Sequence, residues 1–237
     1  MPDTATRIVM LSGPRNISTT MMRSFENRAD TIVTDEPFYA CYLKASDAAH
    51  PMRAETLAAQ SSDWGEVAAQ LKSRRGARFS FEKHISFHFG FAPDNDWLDG
   101  ARVFHLIRDP RAMVASYKNK LDDIEPIIDS YRLQRKFYDL NPAPVVDASD
   151  VLKAPESLLR ALCRALDMPF SDAMLSWPAG ARDSDGPWAP HWYDAVESST
   201  GFRPFEQCEI KLAPELEAVA AACLDDYAFF HSRRLRT

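Results

Sequence analysis

The chain has 237 residues, 46% of them apolar, with a net charge of −6 and a pI near 5.5. That is enough for one sizeable α/β core, and the acidic balance argues against a general nucleic-acid or membrane-surface binder while leaving room for a local basic cleft. No apolar run reaches the roughly 18 residues of a membrane span. The polar start from Met1 to Arg7 predicts no secretory signal, and Cys41, Cys163, Cys208 and Cys223 are too scattered for a zinc site or a disulfide scaffold. They read as buried thiols in a reducing cytoplasm.

In chain order, Arg7–Leu11 (R-I-V-M-L) is a short apolar run ended by Ser12-Gly13-Pro14, as in a buried parallel strand. Ser18–Arg28 carries Met21, Met22 and Phe25 at helical spacing, with Ser18 or Thr19 as N-cap. Thr31–Thr34 is a β-branched second strand, closed by Asp35-Glu36-Pro37. Residues 38–75 read as several helical pieces broken at Pro51 and Gly65. Arg78–Lys83 and Arg102–Ile107 are the third and fourth strands, followed by helices over 111–121 and 127–139. Pro144–Ala148 is a fifth strand, with a helix over 155–167 after it. Residues 178–205, rich in Pro, Trp, Gly and Ser, form a long irregular segment that Trp188, Trp192, Tyr193 and Phe202 mark as ordered. A closing helix over 213–233 presents Leu216, Val219, Cys223, Tyr227 and Phe230 on one side.

Strands that alternate with helices imply βαβ units, hence a parallel sheet covered on both faces. The expected fold is one domain over residues 1–237: a three-layer α/β/α sandwich of the P-loop nucleotide-kinase type. Ligands of such sheets bind at the strands' C-terminal ends, and the unusual polar clusters at 12–20, 35–36, 83–88 and 108–116 all fall there.

Two of these clusters suit anions. In Arg108-Asp109-Pro110-Arg111 a guanidinium ends a strand, and Ser116 follows eight residues later, two turns into the next helix. Guanidinium stays charged and offers a fixed fork of donors to phosphate. The loop Ser12–Thr20 joins a strand to a helix N-terminus, whose free amides cradle anions. It lacks the lysine of the nucleoside-triphosphate loop G-x-x-x-x-G-K-[ST]: that position falls on Ser18 or Thr19, and its cation, Arg15, comes earlier. Asp147 is the one loose candidate for a magnesium-holding aspartate. The loop therefore suits a terminal group less charged than a γ-phosphate and needing no metal, such as a sulfuryl group.

Pro14-Arg15-Asn16-Ile17-Ser18-Thr19-Thr20 resembles the 5′-phosphosulfate loop of sulfotransferases, P-[KR]-S-G-[ST]-T. Arg108-Asp109-Pro110-Arg111 through Ser116-Tyr117 resembles their 3′-phosphate motif, R-[DN]-P-x-x-x-x-x-S-[YF], about 90 residues downstream as in that family. The resemblance implies the donor 3′-phosphoadenosine 5′-phosphosulfate (PAPS), the product 3′,5′-ADP, no required metal, and a hydroxyl or amine acceptor. It places Pro14, Arg15, Asn16, Ile17, Ser18, Thr19 and Thr20 around the 5′-phosphosulfate, and Arg108, Ser116 and Arg203 on the 3′-phosphate. Ile17 departs from the pattern: it stands where the family has a glycine, and a β-branched residue is strained at positive φ. Either the loop is drawn differently or donor binding is weakened.

The resemblance also implies a base. Glu36 lies 21 residues after Arg15, near the spacing at which some sulfotransferases place a glutamate; a plain helix-start carboxylate is the alternative. His84 and His88 follow Lys83, where cytosolic members carry Lys-x-His; here the offset of His84 is one residue short. Lys83 could stabilise charge on the bridging oxygen. His105, mid-strand, reads as a satisfied core histidine. The stretch around His191 is either a wall of the acceptor pocket or a subunit contact. Arg160, Arg164, Arg233, Arg234 and Arg236 read as solvated helix ends. A small soluble acceptor in the cytoplasm is expected, with no nucleic acid or membrane partner and a homodimer as an open option. Two other readings compete: a magnesium- and ATP-dependent P-loop phosphotransferase, and a nucleotide-binding member of the fold that has lost its chemistry.

Overall fold

Five parallel strands set the frame: β1 (Thr6–Ser12), β2 (Thr31–Asp35), β3 (Phe79–Ile85), β4 (Arg102–Ile107) and β5 (Val145–Asp147), in the order β2-β3-β1-β4-β5. The computed structural model describes residues 4–46, 48, 50–118 and 125–237. Among them the helices α1 (Ser18–Glu26), α2 (Tyr39–Ser46), α3 (Arg53–Ala59), α4 (Trp64–Lys72), α5 (Pro110–Lys118), α6 (Glu125–Leu140), α7 (Ala148–Lys153) and α8 (Pro155–Ala165) flank the sheet. All five strands occur where the sequence predicts them, to within two residues. Residues 119–121 of the predicted helix after β4 lie outside the described residues.

Side chains of a strand point alternately to its two faces, and here both faces are covered. Ile8 and Met10 of β1 join Met21 and Phe25 of α1 and Leu158 and Leu162 of α8 in one cluster. Val9 and Leu11 join Val67 and Leu71 of α4 and Phe137 of α6 in another. The sheet therefore has no solvated face, and every residue of β3 is buried.

Residues 178–205 are ordered but hold only short helices, α9 (Ala189–Trp192) and α10 (Asp194–Glu197). Arg23 grips the segment through Asp185 at 2.7 Å, and an isolated bridge pairs Ser176 with Gly201. The closing helix differs from expectation. It is two helices, α11 (Pro214–Ala222) and α12 (Leu224–Arg233), parted at Cys223, where φ is −97° and ψ −9°. Its predicted face still packs inward: Cys223 and Phe230 are fully buried, with Leu216, Val219 and Tyr227 partly so. Of the cysteines, Cys41, Cys163 and Cys223 are buried as expected, whereas Cys208 is exposed. No helix among the described residues is long and apolar enough to cross a membrane.

Candidate active site

Parallel strands carry their polar C-terminal residues to one edge, and a cavity of about 370 Å³ opens there. Its cationic end is built from the loop after β1 and the start of α5. Gly13 begins the loop at a close approach: a Cβ there would sit 3.1 Å from both the Asn16 side-chain amide nitrogen and Met113 Sδ, so both side chains would have to shift to admit one. Arg15 and Ile17 then take left-handed backbone, with φ of 60° and 57°. Ile17 is also the N-cap of α1, and no side chain caps that end. This corrects the expected Ser18 or Thr19 cap, and it leaves the first amide N–H groups of α1 without a side-chain acceptor, at the cavity wall formed by Ser18, Thr19 and Thr20.

Asp109 accepts from the backbone N–H groups of Arg111 (2.9 Å) and Ala112 (3.2 Å), so it caps α5, and Pro110 fills the first helical turn. The cap fixes where the helix starts and hence where Ser116 faces. Arg15 Nε donates to Ser116 Oγ at 3.2 Å, and Arg108 donates to the Arg15 carbonyl at 2.6 Å. Both guanidiniums line the same cavity, and neither forms an ion pair with a carboxylate among the described residues. Burial lowers the pKa of each, and at Arg108 the nearby charge of Arg15 adds to this. Two half-buried guanidiniums lining one cavity, with no carboxylate in ion-pair contact among the described residues, are an arrangement that could hold an anion.

The opposite end is built from β2, β3 and the 178–205 segment. Lys83, 1% exposed, donates to Asp35 Oδ1 at 2.7 Å, Glu36 Oε1 at 2.5 Å and Tyr193 Oη at 2.8 Å. Burial works against its charge, yet Asp35, Glu36 and Tyr193 hold its pKa well above the usual value. Glu36 has φ 39°, a left-handed turn out of β2 that brings its carboxyl to the cavity. Burial, opposed by Lys83 and reinforced by Asp35, lifts that carboxyl to about 7. His88 Nδ1 lies 3.8 Å from Glu36 Oε2, and its ring stacks on Tyr39 with centroids 4.5 Å apart. Burial, with His50 and Lys83 nearby, pushes His88 far below the usual histidine range, so it is neutral. Trp188, Trp192, Ile85 and Phe87 complete an aromatic and apolar wall.

The family model described as the sulfotransferase domain matches residues 6–232. The chain belongs to the sulfotransferase family. Solved relatives share the fold: a sulfotransferase domain from the curacin biosynthetic pathway (TM-score 0.55, 15% identity, 93% of this chain and 98% of that one) and a sulfotransferase from Alicyclobacillus acidocaldarius (0.59, 11%, 99% and 98%). A third is mouse sulfotransferase SULT7A1 complexed with PAP (0.52, 11%, 100% and 87%). Two Arabidopsis thaliana proteins, branched-chain-amino-acid aminotransferase-like proteins 1 and 2, are 36% and 34% identical over 196 residues. That span is 81% of this chain but 35% of each relative, so this sulfotransferase-family chain covers about a third of their length.

Most of the residues the sequence singles out meet in this family member's cavity: Pro14, Arg15, Ile17, Ser18, Thr19, Thr20, Glu36, Lys83, His88, Arg108, Ser116 and Arg203 all line it. Arg203 does so from an exposed position, donating to the Ala195 carbonyl at 3.2 Å. Two residues are placed elsewhere. Asn16 is fully buried, its amide donating to the Leu106 carbonyl at 3.3 Å, so it braces the loop against β4. His84 follows Lys83 by one residue and so points through the sheet, where its Nε2 meets Glu82 Oε2 at 3.2 Å among Phe38, Phe89 and Trp97. Glu82 is itself held by a two-pronged pair with Arg7 at 2.7 and 2.9 Å.

Asp147 does not face the cavity either: it caps α7 through Ser149 and accepts from Tyr227 at 2.9 Å. His105 is in the core as expected but is not satisfied, since neither ring nitrogen has a hydrogen-bond partner among the described residues. Sequence reasoning placed the cluster 35–36 at this edge but gave Asp35 no role, and it missed Tyr39, His50 and the hydroxyl of Tyr193. The signal available for Asp35 was its place at the C-terminal end of a strand.

Proposed function

We propose that this chain transfers a sulfuryl group from PAPS to a hydroxyl of a small acceptor. The observation that carries the reading is the convergence of Arg15, Arg108 and Ser116 on one side of a cavity whose other side holds Glu36 and Lys83. A donor charged at both its 5′-phosphosulfate and its 3′-phosphate fits two cationic grips that have no carboxylate between them. Arg15 and the open amides at the start of α1 would hold the phosphosulfate, and Arg108, Ser116 and Arg203 the 3′-phosphate. That the mouse relative was solved with PAP supports the same donor.

In the reaction the acceptor oxygen attacks sulfur, the bond from sulfur to the bridging phosphate oxygen breaks, and 3′,5′-ADP leaves. The acceptor's proton passes to Glu36, whose carboxyl exchanges protons near neutrality because burial raises it. His88, neutral and 3.8 Å from Glu36 Oε2, lies beside that carboxyl without hydrogen-bonding to it. Arg15 offsets the charge that grows on the leaving phosphate, while Lys83, its three protons taken by Asp35, Glu36 and Tyr193, holds the carboxyls in place. His84 has no route to an acceptor from the far side of the sheet. A phosphotransferase reading has no support in the loop, where Ser18 and Thr19 offer no cation and Asp147 is committed to α7 and Tyr227.

The test is transfer of labelled sulfate from PAPS to a panel of small alcohols and phenols. Turnover should rise with pH through about 7. Glu36→Gln should lower it by roughly 100-fold or more, the usual contribution of a general base. An unchanged rate in Glu36→Gln would remove Glu36 from the reaction.

A further inference from the structure

Two neighbouring carboxylates share one ammonium at the floor of the cavity, and a phenol from a distant part of the chain lies where it can divide their roles. The ammonium of Lys83 has three protons, and Asp35, Glu36 and Tyr193 use all three. The Tyr193 oxygen accepts from Lys83 at 2.8 Å and from the Trp188 indole N–H at 3.1 Å. Both of its lone pairs are then filled, so its own proton has one destination, Asp35 Oδ2 at 2.5 Å. The Gly186 N–H reaches the same oxygen at 3.3 Å. Donors therefore converge on both oxygens of Asp35, whereas Glu36 receives Lys83 on Oε1 and turns Oε2 toward His88 and the cavity.

We infer that Tyr193 is a positioning residue for sulfuryl transfer: by donating to Asp35 while accepting from Lys83, it keeps Asp35 as the fixed counter-charge of the lysine and leaves Glu36 as the carboxyl that exchanges a proton with the acceptor. Resting on the donor and base reading above, this adds to it a reason why the glutamate, rather than the adjacent aspartate, is the base. Hydrogen bonds donated to a carboxylate favour its charged form, and two interacting carboxyls are separated by such differences. The groups facing Glu36 are Asp35 from β2, Tyr39 from α2, Lys83 from β3, His88 from the turn after it, and Tyr193 from the turn between α9 and α10. The segment carrying Tyr193 is docked independently, because Arg23 holds Asp185 at 2.7 Å and Asp185 accepts from the Arg182 N–H at 2.8 Å. Loss of one hydroxyl should therefore leave it in place.

The test is an infrared titration of the full chain, in which the difference between wild type and Glu36→Gln isolates one carboxyl band. That band should vanish with a midpoint near 7. In Tyr193→Phe the Asp35 anion loses a donor and Lys83 loses an acceptor, so Asp35 competes for the proton and the lysine is freer to hold Glu36 as the anion. The midpoint should fall by about one pH unit, the effect of weakening one charged hydrogen bond in the pair. Trp188→Phe, which removes the indole donor to Tyr193 together with part of a ring packed on Tyr39, should shift it the same way by less, and it serves, with folding checked, if Tyr193→Phe fails to fold. An unmoved midpoint in a folded variant, or a band that survives Glu36→Gln, overturns the inference. Binding of 3′,5′-ADP is measured alongside: its failure would end the donor reading, while the infrared midpoint still judges how the carboxyls divide their roles.

Discussion

Ile17 sits where the family pattern has a glycine, and it adopts the glycine's backbone regardless, at φ 57° and ψ 22°. Such a conformation costs on the order of 1–3 kcal/mol in a β-branched residue. Packing of its side chain against the core cluster of α1 and α8 offsets it. The sequence leaves open a redrawn loop or weakened donor binding, and the structure shows a loop whose Ile17 carries left-handed backbone. At β3 the sequence reading ended the strand at Lys83, whereas the strand runs to Ile85, so His84 lies within it and on the face opposite Lys83. The structure makes His84 a neutral ring, lowered by burial despite Glu82, in a pocket closed to acceptor. His84→Gln, which can still donate to Glu82, should leave sulfate transfer unchanged. A large loss of turnover at unchanged stability would return His84 to the reaction.

The strand-turn-helix units were readable at the level of elements, because their signals are local. Asp109 and Pro110 announce a capped helix start, and the cap in turn places Ser116 opposite Arg15. The 178–205 segment gave up its order through its aromatics, but its docking on Arg23, Asp35 and Lys83 depends on contacts about 110 to 160 residues apart, which no local pattern carries. β4 and α12 illustrate the reverse case. His105 looked like a satisfied core histidine, yet it packs between Tyr138 and Phe230 with both nitrogens unpaired, and burial alone takes its pKa down to about 3. The unfolded chain binds a proton at this site below about 6.5, whereas the folded one resists until about 3. Stability present above 6.5 is therefore lost progressively as pH falls toward 3, by up to about 4 kcal/mol from this residue. His105→Phe should flatten that acid limb in urea melts compared at pH 7 and pH 4. Parallel losses in both proteins would show that the ring finds a partner.

Across the whole molecule, the order β2-β3-β1-β4-β5 puts β1 at the centre and carries the ends of β1, β2, β3 and β4 to one edge. This is how clusters scattered from residue 14 to residue 203 come to line one cavity in a chain of net charge −6. The sandwich was legible from the alternation of strands and helices, and the site from two motifs at strand ends. The buried division of labour among Asp35, Glu36, Lys83 and Tyr193 was not, because it is set by side-chain geometry between elements. The central claim is that Arg15 and Arg108 grip one bis-phosphorylated adenosine. Calorimetric titration tests it most directly, with 3′,5′-ADP and 5′-AMP compared on wild type and Arg108→Ala. Arg108→Ala should weaken 3′,5′-ADP by roughly 10- to 100-fold, the worth of a charged hydrogen bond, and leave 5′-AMP unchanged. Equal affinity of wild type and variant for 3′,5′-ADP, or no binding of it at all, would contradict the account.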